Sequence, residues 1–264
     1  MCEEPVRPGM MTQSPAACNT RALRYPVCVW SIDQIADFMA ESVMAENLRL
    51  RAEDAVAGVD ALDETALHPV IASYFSRCGL GVLREHHFPT PKRARPRNSE
   101  RERCDLVLTH DPAGVLIDPV EVDRREHELA VTLFAPVAEQ AAALAGTASE
   151  DALWIELKVC GQYEFVAGVP IANTAYTTGV VRGPAVDIRK LSREKAIEFA
   201  AATLILFAQD EPTARHDLQI AAHKWLDQSL PIREPIVRVV PIDERIGNTV
   251  AAVCMIPARC GGDD

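Results

Sequence analysis

The sequence predicts an α/β protein, an α+β layered domain in which a mixed β-sheet is flanked by helices. Three observations predict it. Stretches with apolar residues at helical spacing alternate along the chain with short apolar runs of strand length, in the order strand, helix, strand, helix, strands. The chain has 264 residues and is 48% hydrophobic, enough for a sizeable core. No internal repeat breaks it into units, so residues 31–264 are expected to form one domain after a loose N-terminal arm over residues 1–30.

The first helix is predicted from Ser31, with Ile32, Ile35, Phe38, Met39, Val43 and Met44 on one face and Ser31 or Asp33 as the cap. A second helical pattern covers Asp63 to Cys78, with Leu67, Val70, Ile71, Tyr74, Phe75 and Cys78 inward. Pro69 favours a first-turn position and disfavours helical angles at His68, so Glu64 is expected on that inward face or on the turn entering the helix. Gly79 ends this helix, and Leu80 to Phe88 reads as a strand carrying Glu85, His86 and His87. Lys92 to Arg103 is the most basic stretch of an acidic chain, and Cys104 to Thr109 is the next strand. Val115 to Ile117 reads as a short strand, and Asp123 to Leu144 is helical in composition with a break at Pro136, together an insertion at about residues 118–150.

Ala152 to Cys160 is the run around which the rest is organised. Side chains two apart in a strand share a face, so Trp154, Glu156, Lys158 and Cys160 point one way and Leu153, Ile155, Leu157 and Val159 the other. One face is expected to be core and the other to carry charge. Gln162 to Ala185, rich in Gly, Pro, Thr and Tyr, reads as a long functional or hairpin loop. Asp187 to Leu191, with Asp187 as an N-cap, is expected to lead into a helix over Arg193 to Ala201, followed by a buried strand at Thr203 to Ala208. A helix from Thr213, with Leu218, Ala221, Ala222, Trp225 and Leu226 inward, and strands at Ile236 to Pro241 and Val250 to Ile256 finish the core.

Composition limits the function. A net charge of −11 argues against a surface coated in basic residues for nonspecific nucleic-acid binding, though not against local basic patches. The eight cysteines have no CxxC spacing, several lie in apolar runs, and reduced thiols in a cytoplasmic protein are expected. No apolar stretch approaches the roughly 18 to 20 residues that span a bilayer, and the opening Met-Cys-Glu-Glu-Pro lacks the basic-then-apolar order of a signal peptide. No membrane partner is expected.

Chemistry is expected where charges sit in strands that otherwise read as core. Asp105, Glu156 and Lys158 do so, with Glu64 on the preceding helix. Converging carboxylates suit Mg²⁺ or Mn²⁺, and an amine two residues along the same strand would sit beside that ion to orient a water or offset phosphate charge. At these residues the chain resembles the PD-(D/E)xK nuclease superfamily over roughly Glu64 to Ala208. Asp105 stands where that family has its first strand aspartate, Glu156-Leu157-Lys158 where it has E-x-K, and Glu64 where it has a glutamate on its first core helix. Gln162 resembles the extra glutamine some members carry after the lysine. Cys104 replaces the proline of the name, and 51 positions separate Asp105 from Glu156.

The resemblance implies a restriction-endonuclease-like core and a Mg²⁺- or Mn²⁺-dependent nuclease acting on DNA, or on RNA. It implies Glu64, Asp105 and Glu156 as metal ligands and Asp105, Glu156 and Lys158 as the catalytic residues. A noncatalytic nucleic-acid- or protein-binding module that keeps the fold is the alternative.

Each site residue also has a plainer reading. Glu156 and Lys158 could form a solvated strand face or a cross-strand ion pair, and Glu64 could serve the helix dipole. Glu85 is a surface strand residue or a substitute ligand. His86 and His87 face opposite ways and are read as structural. The basic loop, with Lys92, Arg93, Arg95 and Arg97, is a solvated charge run or a grip on the phosphate backbone. Lys190 is a surface lysine or a phosphate contact.

Overall fold

A computed structural model describes residues 29–90, 102–130, 146–166 and 168–261. The helices are α1 (Ile32–Ala52), α2 (Glu64–Arg77), α3 (Pro119–Ala130), α4 (Tyr176–Ser192) and α5 (Glu211–Asp227). The strands are β1 (Gly81–His87), β2 (Arg103–Thr109), β3 (Leu153–Gly161), β4 (Tyr163–Val166), β5 (Val169–Ala172), β6 (Phe199–Ala208), β7 (Ile236–Pro241) and β8 (Val250–Ala258). Six strands make a mixed sheet in the order β1-β2-β3-β6-β8-β7, and β4 and β5 form a separate hairpin. Only β3 and β6 run parallel, joined through α4; the other neighbours are antiparallel. The α/β class and the mixed sheet flanked by helices follow the sequence expectation.

Two cores lie on the two faces of the sheet. Leu153, Ile155 and Leu157 of β3 pack with Ile35, Met39 and Val43 of α1 and Leu67, Ile71 and Phe75 of α2. Trp154 and Cys160 of the same strand pack with Val180, Ile188 and Leu191 of α4 and Leu218 and Trp225 of α5. The charged face of β3 is therefore roofed by α4. Small residues make the roof fit: a Cβ at Gly179 would lie 3.0 Å from Cys160 Sγ, and one at Gly183 would lie 3.5 Å from Lys158 Cδ.

Helix ends follow their capping residues. Ser31, Asp63 and Asp210 each accept a hydrogen bond from the backbone N–H three residues on. Gly79 (φ +86°) closes α2, with Leu80 N–H donating to Phe75 C=O and Gly79 N–H to Ser76 C=O, the double bond of a Schellman turn. Within α2 the helix continues through Pro69. The carbonyl that Pro69 cannot serve belongs to exposed Thr65, where water can take the bond.

Several expectations are corrected. The hairpin reading of the segment from Gln162 holds for β4-β5, but its second half, up to Ala185, is most of α4, and Asp187 lies inside α4 instead of capping a later helix. Residues 199–201, assigned to that later helix, open β6. Val115–Ile117 contributes a single bridge, Leu116 with Thr147. Leu226 and Cys78, expected inward, are exposed, as is much of Met44. Residues 1–28 of the expected arm, 91–101 with most of the basic stretch, and 131–145 of the expected insertion lie outside the described residues; Trp30, placed in the arm, is buried in the core with α1 and α2. Among the described residues no helix is long and apolar enough to cross a membrane, and Cys78, Cys104, Cys160, Cys254 and Cys260 are free thiols.

Candidate metal and phosphodiester site

The long excursion after Asp105 closes on itself. Thr147 N–H donates to Val115 C=O (2.8 Å) and Ile117 N–H to Thr147 C=O (2.9 Å), so the insertion leaves and returns at one place. β3 then pairs with β2 in the register Leu106↔Ile155, Val107↔Trp154 and Leu108↔Leu153. One step further along this register stands Asp105 against Glu156. The 51-position gap thus brings the two carboxylates to neighbouring strands.

At this step the backbone ladder stops and side chains take over. Asp105 Oδ2 accepts from Leu157 N–H at 2.7 Å, and the Cys104 thiol lies 3.2 Å from Ile155 C=O. Cys104 and Val107, three apart, belong to the same core, whereas Leu106 and Leu108 belong to the other. Strict alternation therefore slips at Asp105. On its other side β1 pairs Arg84↔Leu106 and His86↔Cys104, which sets Glu85 across from Asp105 with a left-handed φ of +50°. Such a backbone angle costs energy for glutamate and is one of the strains that cluster at functional sites.

Glu64 is the first residue of α2 and His68 is one turn on, so both face the sheet. Glu64, His68 and Asp105 each offer a ligand atom, all within 4.8 Å of one another. His68 is 4% exposed; its Nε2 lies 4.0 Å from Asp105 Oδ2 and its Nδ1 3.8 Å from Glu85 Oε1. Two carboxylates and an imidazole form an oxygen-nitrogen donor set that fits Mg²⁺ or Mn²⁺, the imidazole tilting it toward Mn²⁺. The sequence signal for His68 is the spacing Glu64-x-x-x-His68, which puts both on one helical face, and Pro69 beside it masks that signal by arguing against a helix there.

Glu156 is buried, with 2% exposure, and outside that three-residue cluster. Its Oε1 lies 2.6 Å from Lys190 Nζ. Burial, reinforced by the nearby Asp105 charge, outweighs Lys190 and pushes the Glu156 carboxyl up to about 8. Lys158 is shared: Nζ donates to Glu64 Oε1 and Oε2 (3.0 and 3.2 Å) and lies 3.6 Å from Asp187 Oδ2. Burial likewise raises the Asp187 carboxyl, to about 6, against the opposing pull of Lys158.

The pairs cross between two elements. β3 offers Glu156 and Lys158, α4 offers Asp187 and Lys190, and each acid meets the other element's amine. Asp187 was missed as a site residue because a helix-cap reading accounted for it. Lys190, expected at the surface or on a phosphate, is turned inward on Glu156, donates to Arg103 C=O (2.6 Å) and lies 5.0 Å from the centre of the Phe88 ring.

Gln162 stands apart. Its Oε1 accepts from Gln209 N–H (2.8 Å), and its backbone ties β3 to Phe207 and Asn173, so it braces the strand end. His86 faces Trp154, with ring centroids 6.1 Å apart. Lys92, Arg93, Arg95 and Arg97 fall outside the described residues.

No protein-family model, curated protein or solved structure matches this chain.

Proposed function

We propose that the protein is a metal-dependent nuclease of the PD-(D/E)xK type, with a restriction-endonuclease-like core, hydrolysing DNA phosphodiester bonds. The observation that supports the reading is the gathering of Glu64, His68 and Asp105 ligand atoms within 4.8 Å of one another, with Lys158 Nζ on Glu64 and Glu156 one register step opposite Asp105 where β2 and β3 part. A fold has no structural need to gather four carboxylates, an imidazole and two amines there. Burying such groups costs stability, and that cost is characteristic of sites kept for chemistry.

In this reading Glu64, His68 and Asp105 hold Mg²⁺ or Mn²⁺, with Glu156 completing the acidic set. The bound ion would supply Lewis-acid polarisation of the phosphodiester and a lowered pKa for coordinated water. The chain's own residues do the rest. Lys158 Nζ, fixed by Glu64 and Asp187, offers hydrogens to orient a water or to balance charge on a phosphate oxygen. Asp105 is aimed by its bond to Leu157 N–H.

The pairing of Lys190 with Glu156 favours a second reading, a noncatalytic module that keeps the fold and binds nucleic acid or protein, because that carboxylate already has a cation.

The test is cleavage of linear, circular and single-stranded DNA, and of RNA, with Mg²⁺ or Mn²⁺. Glu156→Ala and Lys158→Ala should each lower the rate by about 100-fold or more, the usual cost of removing a group that stabilises the transition state. Cleavage that survives in both variants rules out this site. Salt-sensitive binding without cleavage supports the module.

A further inference from the structure

Lys190 occupies a position that a divalent cation would also seek. Its amine is 2.6 Å from Glu156 Oε1, inside a site whose other carboxylates, Glu64 and Asp105, stand with His68 within 4.8 Å of one another. Glu156 is thereby withheld from that group. The amine has two further partners that lie off the acidic cluster, the Arg103 carbonyl at 2.6 Å and the face of Phe88 at 5.0 Å. Losing Glu156 would leave it these two partners, so it need not leave the neighbourhood of the site.

We propose that Lys190 is a displaceable counter-ion: it holds Glu156 in the metal-free protein and gives the carboxylate up when a divalent cation binds, so that metal occupancy and the position of the Lys190 amine are linked. The proposal rests on the reading above that Glu156 is a metal ligand. Two arguments favour it over a permanent structural pair.

The first is electrostatic. A buried carboxylate needs a nearby positive charge whenever it is ionised, and Lys158, the other amine of the site, is committed to Glu64 and Asp187. Lys190 is left to serve Glu156. A doubly charged ion held between Asp105 and Glu156 would meet that need more strongly and would repel the amine. The second is mechanical. A lysine amine ends a flexible four-carbon stem, and it can move by rotating its own bonds while α4 stays packed on β3.

The displaced amine would stay beside the bound phosphodiester. Linkage then works both ways: whatever binds Lys190 away from Glu156, such as a phosphate oxygen of the substrate, makes Glu156 more available to the ion. Substrate and metal would assist each other's binding.

The experiment follows the side-chain ammonium signals of lysine by ¹H–¹⁵N NMR in the whole protein, with the Lys190 signal assigned by its loss in Lys190→Met. Backbone amides of Glu64 and Asp105 report Mg²⁺ binding independently. The expected result is that the Lys190 signal shifts and exchanges faster with water along the same Mg²⁺ titration that moves those amides. In Glu156→Gln, Mg²⁺ should bind more weakly, and the Lys190 signal should already resemble the metal-bound one before any is added.

An unmoved Lys190 signal, in a protein whose Mg²⁺ affinity does fall in Glu156→Gln, overturns the counter-ion proposal and leaves the metal site standing. Mg²⁺ affinity unchanged by Glu156→Gln overturns the role of Glu156 and the proposal together. Absence of any Mg²⁺-dependent shift overturns both.

Discussion

Asp105 accepts a 2.7 Å hydrogen bond from the backbone N–H of Leu157, the residue between Glu156 and Lys158. One carboxylate thus performs two tasks. It replaces a missing rung of the β2-β3 ladder, and the carboxylate so held offers a ligand atom within 4.8 Å of those of Glu64 and His68.

The two tasks separate by substitution. Asp105→Asn keeps an acceptor for Leu157 N–H and removes a negative charge beside Glu156, so thermal stability should change little or rise. Asp105→Ala leaves the N–H unpaired and should cost about 1–3 kcal/mol, the usual penalty for a stranded donor. Both should lose Mn²⁺ binding. Melting curves beside calorimetric metal titrations check the pair; equal stability of the two variants would contradict the ladder role.

In the proposed site His68 is expected to set the preference among metals. Imidazole binds Mn²⁺ and Co²⁺ better than it binds Mg²⁺, which favours oxygen. The expectation is that His68→Ala weakens Mn²⁺ and Co²⁺ binding about tenfold or more and Mg²⁺ much less, since a lost ligand contributes most to the ions that prefer it. A uniform loss across all three ions would assign His68 to packing.

The acid-base balance of the metal-free site gives a pH signature. Folding raises the Glu156 carboxyl from 4.5 to about 8 and that of Asp187 from 3.8 to about 6. Between those limits the folded chain binds more protons than the unfolded one, so the stability these two groups contribute is full below about 3.8 and is lost as pH rises, through about 6 for Asp187 and about 8 for Glu156. Glu156→Gln, neutral throughout, should match wild type near pH 4.5 and be increasingly more stable than it toward pH 8. Urea midpoints across that range would show it, and parallel curves for the two proteins would refute it. Acid unfolding of other carboxylates is common to both and cancels in the comparison.

Much of this site could be read in the sequence because a charge in a buried strand is conspicuous. Asp105, Glu156 and Lys158 announced themselves by breaking apolar runs, and two-residue periodicity put Glu156 and Lys158 on one face. What hid the rest is the composition of α4. Thr177, Thr178, Gly179, Gly183 and Pro184 are poor helix formers, so local propensity points to a loop. Tertiary packing overrides it: the glycines let α4 lie against Cys160 and Lys158, and Trp225 Nε1 anchors the helix through Val181 C=O at 2.8 Å. With the helix unseen, Asp187 and Lys190 had no common face. Once residues 176–192 coil, the three-residue spacing puts both toward β3.

The crossed pairs between β3 and α4 make a last prediction. Asp187 is buried and takes its positive partner from Lys158, so Lys158→Met should leave an uncompensated acid under α4. Breaking one side of a buried pair costs up to about 3–5 kcal/mol, less here because Lys158 is partly exposed and Asp187 can take up a proton. Asp187→Asn should cost less, since Lys158 keeps Glu64. Combining Lys158→Met with Asp187→Asn removes the uncompensated acid. The double variant should therefore be more stable than the sum of the single losses by about 1–3 kcal/mol, the range for residues in direct contact. Chemical unfolding of the four proteins at pH 7.5 closes the cycle. A coupling near zero would mean that α4 is held on β3 by Val180, Ile188 and Leu191 alone, with the charges there for the reaction and not for the fold.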